Sequence, residues 1–180
     1  ESELAAELDY QMRRLGAECP AFDTIVASGA HAALPHAQPR EVPIQPNAVL
    51  LIDMGAQAKG YASDMTRMVL PGKPNRRTMK LYKAVLEAQL EALEAIRAGA
   101  TAASVDQTAR RVLKTAGLDS LFIHSTGHGV GLEIHEYPLI GKTDKSELVA
   151  GMVIAVEPGV YVEGWGGIRI EDSVLVTDTG

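Results

Sequence analysis

Four acidic residues fall inside runs that otherwise read as buried strands, and few folds can accommodate that pattern. Asp53 sits in Val49-Leu50-Leu51-Ile52-Asp53-Met54-Gly55, and Glu157 in Val153-Ile154-Ala155-Val156-Glu157-Pro158-Gly159. Asp64 lies in Tyr61-Ala62-Ser63-Asp64-Met65-Thr66-Arg67, and Glu171 in Ile168-Arg169-Ile170-Glu171-Asp172. Gly55 and Gly60 imply a hairpin between the first two runs. A turn centred on Ala58-Lys59 would set Asp53 directly opposite Asp64. A second turn, centred on Gly164, would set Glu157 opposite Glu171. Opposed residues share a sheet face, with Cβ atoms about 4.5–5.5 Å apart, and like charges so placed repel. An unpaired buried carboxylate either costs several kcal/mol or takes up a proton. Two remedies exist: structural ion pairs from Arg67 and Arg169, or bound divalent cations. Arg67 is three residues from Asp64 and should point to the other face, which favours cations.

A histidine completes the set. His128 lies in His124-Ser125-Thr126-Gly127-His128-Gly129-Val130-Gly131-Leu132-Glu133-Ile134-His135, with a glycine on each side so that other backbone can approach it. One imidazole and four carboxylates make an oxygen-rich donor set. Such a set suits Mn²⁺, with Co²⁺, Fe²⁺ and Zn²⁺ as other choices, over a thiolate-type zinc site. Two metals about 3.5–4 Å apart, bridged by carboxylates, would suit hydrolysis.

The rest of the chain frames these motifs. Its 180 residues are one domain's length, and 46% hydrophobic against 22% charged residues is enough for a core. The net charge of −6 argues against a nucleic-acid partner and against a basic membrane patch. No apolar run approaches the roughly 18 residues of a membrane span. The single cysteine, Cys19, excludes an internal disulfide and fits a reducing, cytoplasmic setting; it reads as a small apolar filler. The chain starts without methionine and ends in a turn-like string, so a domain spanning 1–180 and truncated at both ends is expected.

Helices are expected at 3–16, at Arg76–Ala98 and at Ala102–Ala116. Strands are expected at Ala21–Ser28, Ala48–Ala56, Gly60–Leu70, and near 121–126, 129–136, 152–161 and 167–176. That order predicts an α+β fold, with helices covering one face of a largely antiparallel sheet. Asp106 reads as a solvated helix residue and His31 as a loop residue. Asp23, Glu133, Glu136 and Asp172 read as acids on the surface or behind the site. Tyr61 and Trp165 are expected either at a pocket mouth or in packing.

The set Asp53, Asp64, His128, Glu157 and Glu171, with the strings LIDMGA, GYASDMTR, HSTGHGVGLEIHE, VEPGVY and GIRIED, resembles the pita-bread metallopeptidases. Within them, GIRIED and HGVGLEIHE are similar to the proline-specific branch of aminopeptidase P and prolidase. The resemblance implies a pita-bread fold, two divalent metals and hydrolysis of an N-terminal Xaa-Pro bond. It implies that Asp53 holds one metal, that His128 with Glu157 holds the other, and that Asp64 and Glu171 bridge them. It makes Glu157 the general base or proton shuttle. It casts His36, His124 and His135 as pocket histidines that bind substrate, makes His36 and His135 catalytic as well, with His135 at the scissile carbonyl, and makes Arg169 a charge-steering neighbour of Glu171. It implies small peptides with proline second as substrates, and a homodimer. Methionine aminopeptidase and a non-catalytic binding module of the same fold are the rival readings.

Overall fold

The computed structural model describes residues 1–179. Helix α1 (Ser2–Arg14) precedes strands β1 (Cys19–Pro20) and β2 (Ile25–Ser28) and a 3₁₀ turn at Gly29–Ala33. The first acid-bearing hairpin follows as β3 (Leu50–Met54), β4 (Ala56–Ala58), β5 (Tyr61–Ala62) and β6 (Met65–Val69). Helices α2 (Arg76–Glu94) and α3 (Ala102–Thr115) come next. Then come β7 (Gly127–Gly129), β8 (Glu136–Ile140) and the second hairpin: β9 (Val153–Val156), β10 (Gly159–Val162), β11 (Gly166–Arg169) and β12 (Asp172–Leu175). Every pairing is antiparallel, in the orders β2-β3-β6, β1-β4-β5, β12-β9-β7-β8 and β10-β11.

Helices α2 and α3 begin where side chains cap them. Asn75 accepts the Thr78 N–H at 2.9 Å, and Thr101 accepts the Ser104 N–H at 3.2 Å. Their apolar stripes, among them Leu81, Val85, Ala92, Val105 and Leu113, meet Leu51, Ile154, Val156 and Ile168 in the main core. The alternation along β2 and β3 sends Ile25, Ala27 and Leu51 into this core. It sends Val26, Leu50 and Ile52 to the other face, where Ala5, Leu4 and Leu8 of α1 cover them. Helices therefore cover this part of the sheet on both faces rather than one, which is why β3 reads as a continuous apolar run.

Three sequence expectations are corrected. The first hairpin turns at Lys59-Gly60, both left-handed at φ 53° and 80°, not at Ala58-Lys59. Gly60 adopts that conformation freely and a two-residue turn of this hand matches the strand twist. The register slides by two, and Asp53 faces Thr66 instead of Asp64. A slide of two keeps every side chain on its face. Second, 121–126 and 129–136 are not strands: a 3₁₀ turn at Asp119–Leu121 opens the former, and the β7–β8 connection occupies most of the latter. Third, α2 ends at Glu94, four residues early.

The second hairpin keeps the expected register. Arg169 pairs with Gly159 on one side and Asp172 with Val156 on the other. Continued across the gap, the same register sets Glu171 opposite Glu157.

Candidate metal centre

The two hairpins and β7 bring the predicted residues to one cleft. Its volume is about 490 Å³, and its lining includes Asp53, Asp64, His128, Glu157 and Glu171 together with His36, His124, His135 and Arg169. Phe22, Ile25, Pro35, Ile134 and Leu139 form its apolar wall.

The tightest group is Asp64, His128 and Glu171, all buried, each offering one donor atom within 4.8 Å of the others. His128 reaches it because β7 runs between β8 and β9 with glycines on either side. A Cβ on Gly127 would sit 1.8 Å from the Ala155 carbonyl oxygen, and one on Gly129 would sit 2.5 Å from that of Tyr137. The His128 Nδ1–H donates to the Gly129 carbonyl at 2.9 Å. That bond fixes the tautomer and leaves Nε2 free as a ligand atom. Nε2 lies 3.5 Å from Asp64 Oδ2 and 3.8 Å from Glu157 Oε1.

Asp53 is brought to the cleft but turned toward a cation already in the protein. Arg169 Nη2 donates to its Oδ2 at 2.5 Å, and Arg169 Nε lies 3.8 Å from Glu157 Oε2. Asp53 Oδ1 is the one buried side-chain oxygen or nitrogen without a hydrogen bond among the described residues. Arg169 thus serves Asp53 and Glu157 rather than Glu171. Arg67 points away, as its spacing predicts, and pairs with Asp172 at 2.5 Å.

Electrostatics follow from this crowding. Burial pushes the Asp53 carboxyl above its usual range despite the Arg169 charge. Burial raises Glu157 to about 7, against the pull of Arg169 and His128. Burial and the neighbouring acids Glu157, Asp64 and Asp53 raise Glu171 well above the carboxylate range. Burial pulls the His128 ring down, but Asp64, the Gly129 carbonyl and Glu157 outweigh it and hold the pKa above its ordinary value. Three carboxyls that resist ionisation, an oxygen without a hydrogen bond and an imidazole nitrogen available as a ligand atom mark a site shaped for positive charge. The donor set fits divalent cations.

Two contributors escaped the sequence reading. Thr66, fully buried, donates its hydroxyl to Glu171 Oε2 at 2.6 Å and accepts from Arg169 Nε at 3.0 Å. Tyr161 accepts from Arg169 Nη1 at 2.8 Å and donates to His124 Nε2 at 2.8 Å. Both sit in apolar strand patterns, where a hydroxyl is the only available signal. Burial draws the His124 ring down to about 4, so it stands neutral against Tyr161. His36 and His135 are exposed at the cleft, with the His135 ring centroid 4.3 Å from that of His128.

Asp106 is not solvated. It is fully buried between Arg110 and Thr126. Trp165 packs against the core beneath Arg77, and exposed Tyr61 stands outside the cleft lining. Asp23 and Glu136 do line it. Cys19 is half-buried and lies 3.1 Å from Gln57 Oε1, a polar contact that an apolar filler would not make.

Residues 1–178 match metallopeptidase family M24. The chain belongs to that family. Over its whole length it is 49% identical to an Xaa-Pro dipeptidase of Pyrococcus furiosus, of which it covers 52%. A prolidase structure from the same organism superposes with a TM-score of 0.98 over 100% of this chain and 53% of the prolidase. The X-Pro aminopeptidase of Thermotoga maritima gives 0.98 at 44% identity, covering 100% of this chain and 51% of that one. Aminopeptidase P of Escherichia coli, in complex with substrate, gives 0.93 at 29% identity, covering 100% and 47%. The chain spans about half the length of the relatives it matches. Its α+β architecture is the pita-bread fold of these M24 proteins. Membership in M24 implies a divalent-metal site, and the Asp64, His128 and Glu171 group is where the donors converge.

Proposed function

We propose that the full-length protein hydrolyses the bond between an N-terminal residue and a following proline, using two divalent cations held by Asp53, Asp64, His128, Glu157 and Glu171. The observation that carries this reading is the convergence of these donors in one cleft with an apolar wall. The names of the relatives, an Xaa-Pro dipeptidase and an X-Pro aminopeptidase, support the proline preference. Mn²⁺ is the preferred metal, because the donors are mostly carboxylate with one imidazole. We place the protein in the cytoplasm, in keeping with its one unpaired cysteine. A homodimer is part of the same reading. Among the described residues no helix is long and apolar enough to cross a membrane.

When bound, the cations supply Lewis-acid polarisation of the scissile carbonyl and make water acidic near neutral pH. The protein's own groups do the rest. Asp64 and Glu171 would serve both cations, Asp53 would hold one of them, and His128 with Glu157 would hold the other. Glu157 takes a proton from the attacking water and returns it to the prolyl nitrogen. A secondary amine leaves only once protonated, so this transfer is obligatory. His135, pulled below its usual pKa by burial and by His128, stands neutral and donates to the carbonyl oxygen alongside His36. Phe22, Ile25, Ile134 and Leu139 exclude water and take up the proline ring. His124 and Arg169 complete the substrate wall.

The test is cleavage of Ala-Pro, Ala-Pro-Ala and Met-Ala-Ser by the Mn²⁺-loaded full-length protein, read by mass spectrometry with a chelator control. Chelator-sensitive release of alanine supports the proposal, and the preferred peptide length separates dipeptidase from aminopeptidase. Cleavage of Met-Ala-Ser alone would move the activity to methionine removal. Folded, metal-loaded protein that cleaves none of them would be a binding module.

A further inference from the structure

Helix α3 carries a buried ion pair that the chemistry above leaves unused. Asp106 accepts from Arg110 Nε at 2.7 Å and from the Thr126 hydroxyl at 2.8 Å. The other arms of the Arg110 fork donate to the carbonyl oxygens of His124 at 2.5 Å and Phe122 at 3.2 Å. Its guanidinium lies 4.2 Å from the Phe122 ring centroid, and that ring meets His124 edge-on at 5.1 Å. One turn of helix therefore grips residues 122, 124 and 126, a stretch with no helix or strand of its own.

A buried charge pair is weak evidence for stability, because an apolar pair of the same size does as well or better. What an apolar pair could not do is satisfy two carbonyls and a hydroxyl in irregular backbone. The held segment leads straight into the site. His124 reaches Tyr161, the Thr126 carbonyl accepts the Glu157 N–H at 2.7 Å, and β7 with His128 begins one residue on.

We propose that Asp106 and Arg110 are a positioning pair, which fixes the His124 ring at the cleft wall through the backbone of residues 122–126. The kinetic half of this proposal rests on the peptidase reading. The structural half does not.

Arg110→Met strands Asp106 and is expected to fold poorly. Arg110→Lys keeps the charge and one hydrogen bond but loses the fork, and Arg111→Ala, on the exposed side of α3, is the control. On full-length protein, Arg110→Lys is expected to raise KM for Ala-Pro about tenfold with kcat within about twofold, the scale of one charge-assisted hydrogen bond. Mn²⁺ affinity should hold, and amide exchange should quicken at Thr126 while α2 stays protected. Arg111→Ala should change none of these. Wild-type KM and wild-type exchange at Thr126 in folded Arg110→Lys would overturn the proposal. So would a parallel loss of kcat, metal and global protection, which marks a purely structural pair. If the wild type cleaves no Xaa-Pro peptide, the peptidase reading fails by itself. The exchange measurement then decides alone: faster local exchange sustains the positioning pair, and unchanged exchange removes it.

Discussion

Replacing Thr66 by valine alters one group's chemistry and almost none of its shape. The hydroxyl is fully buried between Glu171, 1% exposed, and Arg169, 2% exposed. It donates to the first at 2.6 Å and accepts from the second at 3.0 Å. Valine offers neither. A buried polar group left short of a hydrogen bond costs about 1–3 kcal/mol, so two such groups put the loss at about 2–6 kcal/mol. Thr66→Ser keeps both bonds and loses only a methyl, worth about 1 kcal/mol including the void. The expected order of stability is wild type, serine, valine. Urea unfolding of the three proteins at pH 7, with Mn²⁺ and with chelator, reads it directly. The valine variant should also bind Mn²⁺ more weakly, because Glu171 loses the partner that aims it. Equal stability of the serine and valine proteins would refute the reasoning. Shape would then be what matters at this position, and the hydroxyl would be incidental.

Other expectations follow from single contacts. Gly127→Ala places a methyl against the Ala155 carbonyl and should part β7 from β9, costing at least about 3 kcal/mol and the metal site with it; circular dichroism melting and Mn²⁺ titration check this. Asp64→Asn or Glu171→Gln should abolish tight Mn²⁺ binding in calorimetry while the melting temperature without metal holds or rises, because each removes one carboxyl from a crowded, buried acidic cluster. Burial pushes the Glu1 carboxyl up, but hydrogen bonds from Arg40, with the Ser28 N–H, outweigh it and hold it at about 2 against an ordinary 4.5. A depressed carboxyl contributes stability above its unfolded pKa and loses it as pH falls through the folded one. The melting advantage of wild type over Glu1→Gln should therefore shrink between pH 4.5 and about 2; an advantage that ignores pH would exclude this account.

Much of the site was legible because acids and strands make contradictory demands. Residues 152–161 and 167–176 read as strands, and the acids Glu157 and Glu171 inside them called for bound cations or for ion pairs from arginine. The second hairpin's register followed from its glycine-rich turn. The first did not, because Lys59 takes the left-handed conformation beside Gly60 and moves the turn by one residue. The error left the site intact, since the slide of two preserved the face. Asp106 misled for a different reason. A helical acid looks solvated unless its partner is visible, and two of its partners are Arg110, four residues on, and Thr126, twenty residues on. Thr66 and Tyr161 were silent because a lone hydroxyl in a β-prone run is ordinary.

The acids share a placement that explains how the sheet tolerates them. Asp64 lies between β5 and β6, Glu157 between β9 and β10, and Glu171 between β11 and β12. Each occupies a break where the ladder stops and resumes. In the second hairpin the same register runs on both sides of the break, Asp172 with Val156 and Arg169 with Gly159. The backbone is thus gripped from two directions while the opposed pair itself needs no room in a continuous ladder. Asp53 is the exception, within β3, and it alone is held by a full ion pair at 2.5 Å. A carboxylate inside a ladder requires its own counter-ion, whereas carboxylates at the breaks can be left to share positive charge in the cleft. The division predicts where a substitution is felt: neutralising Asp53 should cost Arg169 its nearest counter-ion and destabilise the fold, and neutralising the others should relax it.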